Sequence, residues 1–201
     1  SWVISKSGNC CGFNVSYEYD NQGNATKVTD ANGQVYTYTF DSTGNMLTAT
    51  NPLGEVSTYT YSNSFNKITS YTDPKGNIYT LSYDIKGNLL QLIAPGNLTY
   101  SATYNATGDI LSSTDPKGNV YNYNYDAWGN PSSVTGPNGY NAVLSFDARG
   151  NLLSFTDARG NNSTAEYDIL NRLKKITDPI NYSVQFTYDA EGNILTLKNK
   201  N

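Results

Sequence analysis

At 201 residues the chain has room for one or two ordinary domains, yet only 37% of it is hydrophobic, against the roughly 45–50% usual in a packed globule. Eighteen tyrosines make up much of the difference, which suits pleated, half-buried strands and argues against disorder. A net charge of −4 with no basic stripe excludes a phosphate-neutralising surface, the lack of histidine removes histidine-based acid–base and triad chemistry, and no apolar run reaches the roughly 20 residues of a membrane-spanning helix.

In chain order, residues 1–18 read as a partial leading unit whose first segment, residues 2–7, forms an edge strand carrying Trp2 and Ile4. Because the chain opens on Ser1 and shows no signal peptide, it is expected to be a fragment or a processed product. Cys10 and Cys11 are adjacent, so free thiols, a strained mutual bond and a bond to another chain all stay open. A zinc site would need four ligands.

From there an aromatic residue followed by a turn recurs at Tyr19, Phe40, Tyr61, Tyr83, Tyr104, Tyr125, Phe146, Tyr167 and Tyr188, at intervals of 21 residues and once 22. Residues 1–201 therefore form a single array of about nine units, with residues 194–201 as a partial trailing strand. Each unit carries two turn signals. The first reads Tyr19-Asp20-Asn21-Gln22-Gly23-Asn24 and returns at Tyr83 and Tyr125; the second reads Thr114-Asp115-Pro116-Lys117-Gly118-Asn119, with relatives at Thr29, Thr72 and Thr156. Asp folds its carboxylate onto amides two residues on, Pro presets φ, and Gly accepts the positive φ that closes the turn.

Between turns the apolar residues alternate with period two, as in Tyr36, Tyr38 and Phe40, in Tyr79, Leu81 and Tyr83, in Tyr121, Tyr123 and Tyr125, and from Tyr182 through Val184 and Phe186 to Tyr188. Partner strands follow suit, with Leu90 beside Leu92, Leu153 beside Phe155 and Leu195 beside Leu197. That period marks strands with one covered face, and each unit is a β-hairpin. Three departures are visible. Phe65 replaces Gly in a unit one residue longer, which predicts a bulge or altered turn between Asn66 and Thr72. Asn171 replaces Gly, which the left-handed region tolerates, and the glycine of Ala94-Pro95-Gly96-Asn97 comes one place early.

The paired Y-D-x-x-G-N and T-D-P-x-G-N signatures, over residues 9 to 201, resemble the YD repeats of the RHS family. The resemblance implies an all-β fold, a continuous antiparallel meander coiled into a spiral shell or solenoid-like barrel. In RHS toxins and insecticidal toxin complexes such a shell encloses an effector; in teneurin-like surface proteins it is an extracellular scaffold. The self-cleaving aspartates and toxin domain of the family have no counterpart here.

No residue constellation suggests an enzyme or a cofactor. All thirteen aspartates fall on turn positions, leaving only Glu18, Glu55, Glu166 and Glu191, which are scattered. Calcium wants six to eight oxygens, and each turn offers one Asp. Trp128, inside a turn, is the candidate sugar or partner contact, and the strand tyrosines are expected to form cross-strand ladders. Seven N-glycosylation sequons occur, about the number that chance supplies, with turn-adjacent Asn24 and Asn105 the favoured acceptors.

Two roles follow. The first is a non-enzymatic shell segment of a secreted or cell-surface protein: about eighteen strands at about 4.8 Å would make a sheet some 85 Å wide, which should coil. The alternative is a subunit of an extracellular filament or adhesive stalk, assembled head-to-tail through edge strands bearing Trp2, Ile4, Ile194, Leu195 and Leu197. Partners would be other repeats, identical chains, an enclosed effector or glycans, with no nucleic acid and no membrane span.

Overall fold

The computed structural model describes residues 2–8 and 13–200, with side chains from Val15 to Asn199. Cys10 and Cys11 lie outside the described residues. The chain divides into two compact units, residues 1–101 and 102–201.

The first unit holds β1 (Trp2–Gly8), β2 (Phe13–Tyr19), β3 (Ala25–Thr29), β4 (Val35–Phe40), β5 (Met46–Thr50), β6 (Val56–Tyr61), β7 (Ile68–Thr72), β8 (Ile78–Tyr83) and β9 (Leu89–Ala94). Strand β10 (Leu98–Tyr104) contributes residues to both units. The second continues with β11 (Ile110–Thr114), β12 (Val120–Tyr125), β13 (Pro131–Thr135), β14 (Asn141–Phe146), β15 (Leu152–Thr156), β16 (Asn162–Tyr167), β17 (Leu173–Thr177), β18 (Ser183–Tyr188) and β19 (Ile194–Lys200). One three-residue 3-10 turn, Pro137–Gly139, is the sole helical element among the described residues. The leading partial unit thus closes a hairpin of its own, β1–β2, and raises the strand number above the eighteen expected.

Pairing is antiparallel and follows chain order in each unit. Strand contacts of any extent join consecutive strands. Each unit is therefore a meander one layer thick.

The rings share a face, as the alternation requires. Strands β4, β6, β8, β12 and β16 all alternate an exposed residue with a less exposed one, and the less exposed set is Tyr36-Tyr38-Phe40 and its equivalents. Coverage is partial: no large side chain is fully buried, and Ala142 is the one hydrophobic residue in the buried class among the described residues. With no second layer over them, the rings are flanked across neighbouring strands mostly by smaller residues, as Tyr36 is by Val28 and Tyr38 by Ala49.

Both kinds of hairpin have five-residue loops, but only one kind carries a bulge. At the Y-D turn Tyr19 faces Ala25 while Glu18 faces Lys27, which leaves Thr26 unmatched. The same slip leaves Leu47, Thr69, Leu90, Ser132, Leu153, Lys174 and Leu195 unmatched in the later units. At the T-D-P turns the register runs through without a slip, as in β3–β4 and β15–β16. A bulge per repeat bends and twists the strand that holds it.

These bulges bear on two expectations. Leu90 is unmatched and exposed while Leu92 is half-buried, a departure from simple alternation, whereas Leu153, also unmatched, is exposed to the same degree as Phe155, 37% against 39%. The long unit does carry a bulge between Asn66 and Thr72, at Thr69, but the other Y-D hairpins just named have one at that place too, and it does not take up the extra residue. That residue is absorbed in the preceding loop, residues 62–67, where Ser62 N donates to Lys67 O at 2.8 Å and Asn66 N to Ser62 O at 3.1 Å, with Asn66 at φ 49°. The early glycine does change its turn: Gly96 and Asn97 take successive positive φ values of 79° and 59°, and Leu98 faces Ala94 across three residues.

Candidate functional site

The repeating chemical unit is the turn. In the first, the amides of Gln22 and Asn24 both donate to Asp20 Oδ1 at 2.9 Å, and Asn24 Nδ2 donates to Oδ2 at 2.9 Å. Two more bonds close the backbone, Asp20 N to Asn24 O and Gly23 N to Asp20 O. One carboxylate thus holds three donors. The same clamp operates in T-D-P turns, where Asp115 accepts from Lys117 N, Asn119 N and Asn119 Nδ2 at 2.7–2.9 Å.

Where the sequence departs, the clamp survives by exchange. Asn105 stands in the Asp place and accepts from Thr107 N and Asp109 N at 2.9 Å each, while its Nδ2 donates to Asp109 Oδ2. Asn51 does the same with Glu55, accepting from Leu53 N and Glu55 N and donating to Glu55 Oε2 at 2.6 Å. Glu55 therefore belongs to the turn chemistry and is not one of the scattered acids.

Electrostatics agree with geometry. At Asp20, Asp126 and Asp189 the side-chain amide of the Asn four residues on holds the carboxyl below its ordinary 3.8. At Asp168 the backbone amide of Arg172 leads. These shifts fix charge for hydrogen bonding, with no sign of a proton donor kept neutral.

Turns also hold one another along the Y-D edge. Two units lack the clamping Asn and carry a cation there instead. Lys67 Nζ reaches Gly87 O at 2.5 Å and lies 5.5 Å from the centre of the Tyr83 ring. Arg172 binds Asp168 Oδ2 at 2.7 Å, donates to Asp189 O at 3.0 Å and lies 4.6 Å from the Tyr188 ring centre. Phe65 rests on Gly87, where a Cβ would meet Phe65 Cδ1 at 3.3 Å. The Y-D tyrosine adds a third link: Tyr83 Oη donates to Ile68 O, Tyr125 Oη to Ile110 O and Tyr188 Oη to Leu173 O, each at 2.7–2.9 Å and fifteen residues back.

A position that sequence reading missed lies beside each bulge on the wet face. There Glu18 faces Lys27, with 2.7 Å between the charges, and Glu166 faces Lys175 at 3.4 Å. Equivalent units place Thr39 with Thr48, Thr103 with Ser112, Asn124 with Ser133, Ser145 with Ser154 and Thr187 with Thr196 in the same slot, at 2.6–2.9 Å. The signal was a nine-residue separation between partners that change together from charged to hydroxylic.

Trp128 sits at a turn tip, its amide bound to Asp126 Oδ1 at 2.8 Å and its residue 67% exposed. Ile85 and Ile169 occupy comparable tips on the same kind of turn. Asn24 and Asn105 are engaged in clamps, as described. Trp2 and Ile4 lie on β1, opposite Tyr19 and Tyr17, and Ile194, Leu195 and Leu197 of β19 are 58%, 64% and 57% exposed. Within the second unit, Trp128 and the β19 residues belong to separate hairpins. The cavities are shallow grooves between neighbouring turns, such as one of about 300 Å³ lined by Asp147, Arg149, Tyr167, Asp168 and Asn171. Among the described residues no three acidic or thiol side chains converge on a metal position.

A repeat of this length, with tyrosine, clamped Asp and a bulge in each unit, has a named counterpart. The family model of the teneurin YD-shell matches residues 5–125, more than half of the chain. The chain belongs to the YD-shell family. The RHS repeat model matches the same YD-shell chain again at residues 146–179 and 167–201. Among curated proteins no sequence matches it.

Solved structures extend the likeness to the whole array. The crystal structure of TcdB2-TccC3-TEV is 18% identical with a TM-score of 0.76, over 98% of this chain and 12% of that one. The crystal structure of TcdB2-TccC3 without its hypervariable C-terminal region gives 18% and 0.74, over 93% of this chain and 11% of that one. At such identity the likeness is one of fold, and the YD-shell segment spans a small part of each of those chains. The fold class is that of the RHS and YD shells: all-β tandem hairpins in an antiparallel meander. No helix among the described residues is long and apolar enough to cross a membrane.

Proposed function

We infer that this YD-shell segment is a non-enzymatic wall element of a secreted or cell-surface protein, whose repeats coil into a spiral shell able to enclose an effector. The observation that carries this reading is the single layer of strands with a row of half-covered rings on one face and no second layer over it. A wall with one aromatic and one polar face suits an enclosure, and the bulge at each Y-D hairpin supplies curvature repeat by repeat. Electron microscopy of the intact protein, joined to protease challenge of whatever follows the repeats, tests the proposal. A hollow shell with a protected interior is expected; a flat or two-layered particle would overturn it.

A filament or adhesive stalk is the second reading, resting on the exposure of Ile194, Leu195 and Leu197 along β19 and on Trp2 and Ile4 of β1. Further repeats would cover these residues equally well, so the shell is preferred. Assembly that grows with concentration and stops on Leu195→Lys would favour the stalk. Trp128 is proposed as the sugar or partner contact. If Asn24 or Asn105 is glycosylated, Nδ2 keeps one hydrogen for the clamp.

A further inference from the structure

Tyr59, Tyr71 and Tyr79 face one another directly across three consecutive strands, β6, β7 and β8. Their ring centroids are 5.1 Å and 5.5 Å apart, with interplanar angles of 28° and 31°. Elsewhere on the same face no tyrosine faces another tyrosine in the described registers: Val28 faces Tyr17 and Tyr36, Ala49 faces Tyr38, Val134 faces Tyr123, and Tyr19 faces Trp2. The other close tyrosine pairs differ in kind. Tyr17 and Tyr19 are neighbours on one strand at 6.2 Å, and Tyr121 meets Tyr140 edge-on at 6.3 Å. Among the described residues, three phenols in a cross-strand stack occur once.

None of the three is buried, and no second layer covers them, so a small oxidant reaches the ring edges left open. We propose that this stack is an oxidative cross-linking site, at which Tyr71 couples to Tyr59 or Tyr79 and locks neighbouring hairpins together. A one-electron oxidant of the peroxidase class, with hydrogen peroxide, removes one hydrogen atom from each of two phenol hydroxyls. The two phenoxyl radicals join through ring carbons ortho to oxygen. Each ortho hydrogen then moves to its own oxygen and restores the phenols. The two hydrogen atoms lost reduce one peroxide to two waters. The stack supplies proximity: radicals generated on facing rings meet before either diffuses to another molecule. Thiols are not required, and the inference stands independently of whether the array encloses anything.

Dilute full-length chain treated with a peroxidase and hydrogen peroxide tests it. Dityrosine fluorescence should appear in the monomer, and peptide mapping should join the segment holding Tyr71 to that holding Tyr59 or Tyr79, two hydrogens lighter than their sum. Tyr71→Phe should abolish this product, as should the double variant Tyr59→Phe with Tyr79→Phe, while Tyr121→Phe should leave it unchanged. Each variant keeps the ring, so the fold stays available for comparison. Cross-links confined to pairs of chains, mapped to other tyrosines, indifferent to Tyr71→Phe, or absent altogether would overturn the proposal.

Discussion

Asp126 illustrates how much one carboxylate does in this protein: it accepts from Trp128 N, Asn130 N and Asn130 Nδ2 at 2.8–2.9 Å. The sign of its pH dependence follows. Bonds to the ionised form hold the folded carboxyl below 3.8, so stability is fully present above the unfolded value and is lost as pH falls through the lower folded value. With Asp20, Asp73, Asp115, Asp147 and Asp189 shifted the same way by their Asn partners, urea midpoints should be flat near neutrality. They should fall progressively once pH drops below about 4; a midpoint that rose in acid would contradict the clamp. Two glycines separate conformation from space. Gly118 has φ 82° and open space around it, so Gly118→Ala should cost about 1–2 kcal/mol from the left-handed backbone alone. Gly136 would place a Cβ 2.7 Å from the Tyr121 ring, so Gly136→Ala should cost about 1–3 kcal/mol by crowding. Denaturant titration of both variants checks the pair. Tyr83→Phe removes the bond to Ile68 O and should cost about 0.5–1.5 kcal/mol in the same assay. The clamps were legible in the sequence because Asp, Gly and Asn act within five residues. The exchange of Asn51 with Glu55 was not, since Glu lies outside the usual turn vocabulary and its role shows only when its carboxylate meets Asn51 Nδ2.

At the scale of the hairpin, strands and their faces could be read from alternation, and the bulge could not. A slip is a relation between two strands, and the residue it frees, such as Leu90 or Leu153, looks in sequence like any other apolar strand position. The slip also sets which wet-face residues meet, and so explains why Glu18 has its partner nine residues on. Lys27→Glu should destabilise the first hairpin by about 0.2–1 kcal/mol through like-charge repulsion, and the swapped pair Glu18→Lys with Lys27→Glu should recover that loss. A double-mutant cycle measures the coupling, and no recovery would mean the pair is incidental. Lys67 and Arg172 act between hairpins instead, each replacing the Asn of a turn whose glycine is also missing. The paired replacement was visible as two anomalies, but nothing in the linear order says that the cation reaches the next turn.

At the scale of the whole array, partial burial is the governing fact. The low apolar content and abundant tyrosine anticipated it: a meander without a second layer covers its rings only from the side, and among the described residues no large side chain is fully buried. Repeats that touch only their neighbours make stability a sum of local hairpins and the contacts between them. Residue-resolved proton contacts measured by NMR on the full chain test that organisation most directly. Contacts should join consecutive strands only, placing Tyr71 between Tyr59 and Tyr79, with Thr26 and its counterparts skipped once in each Y-D hairpin. Contacts between strands distant in the chain, as in a two-layer sandwich, or contacts spaced three and four residues apart, would contradict the account.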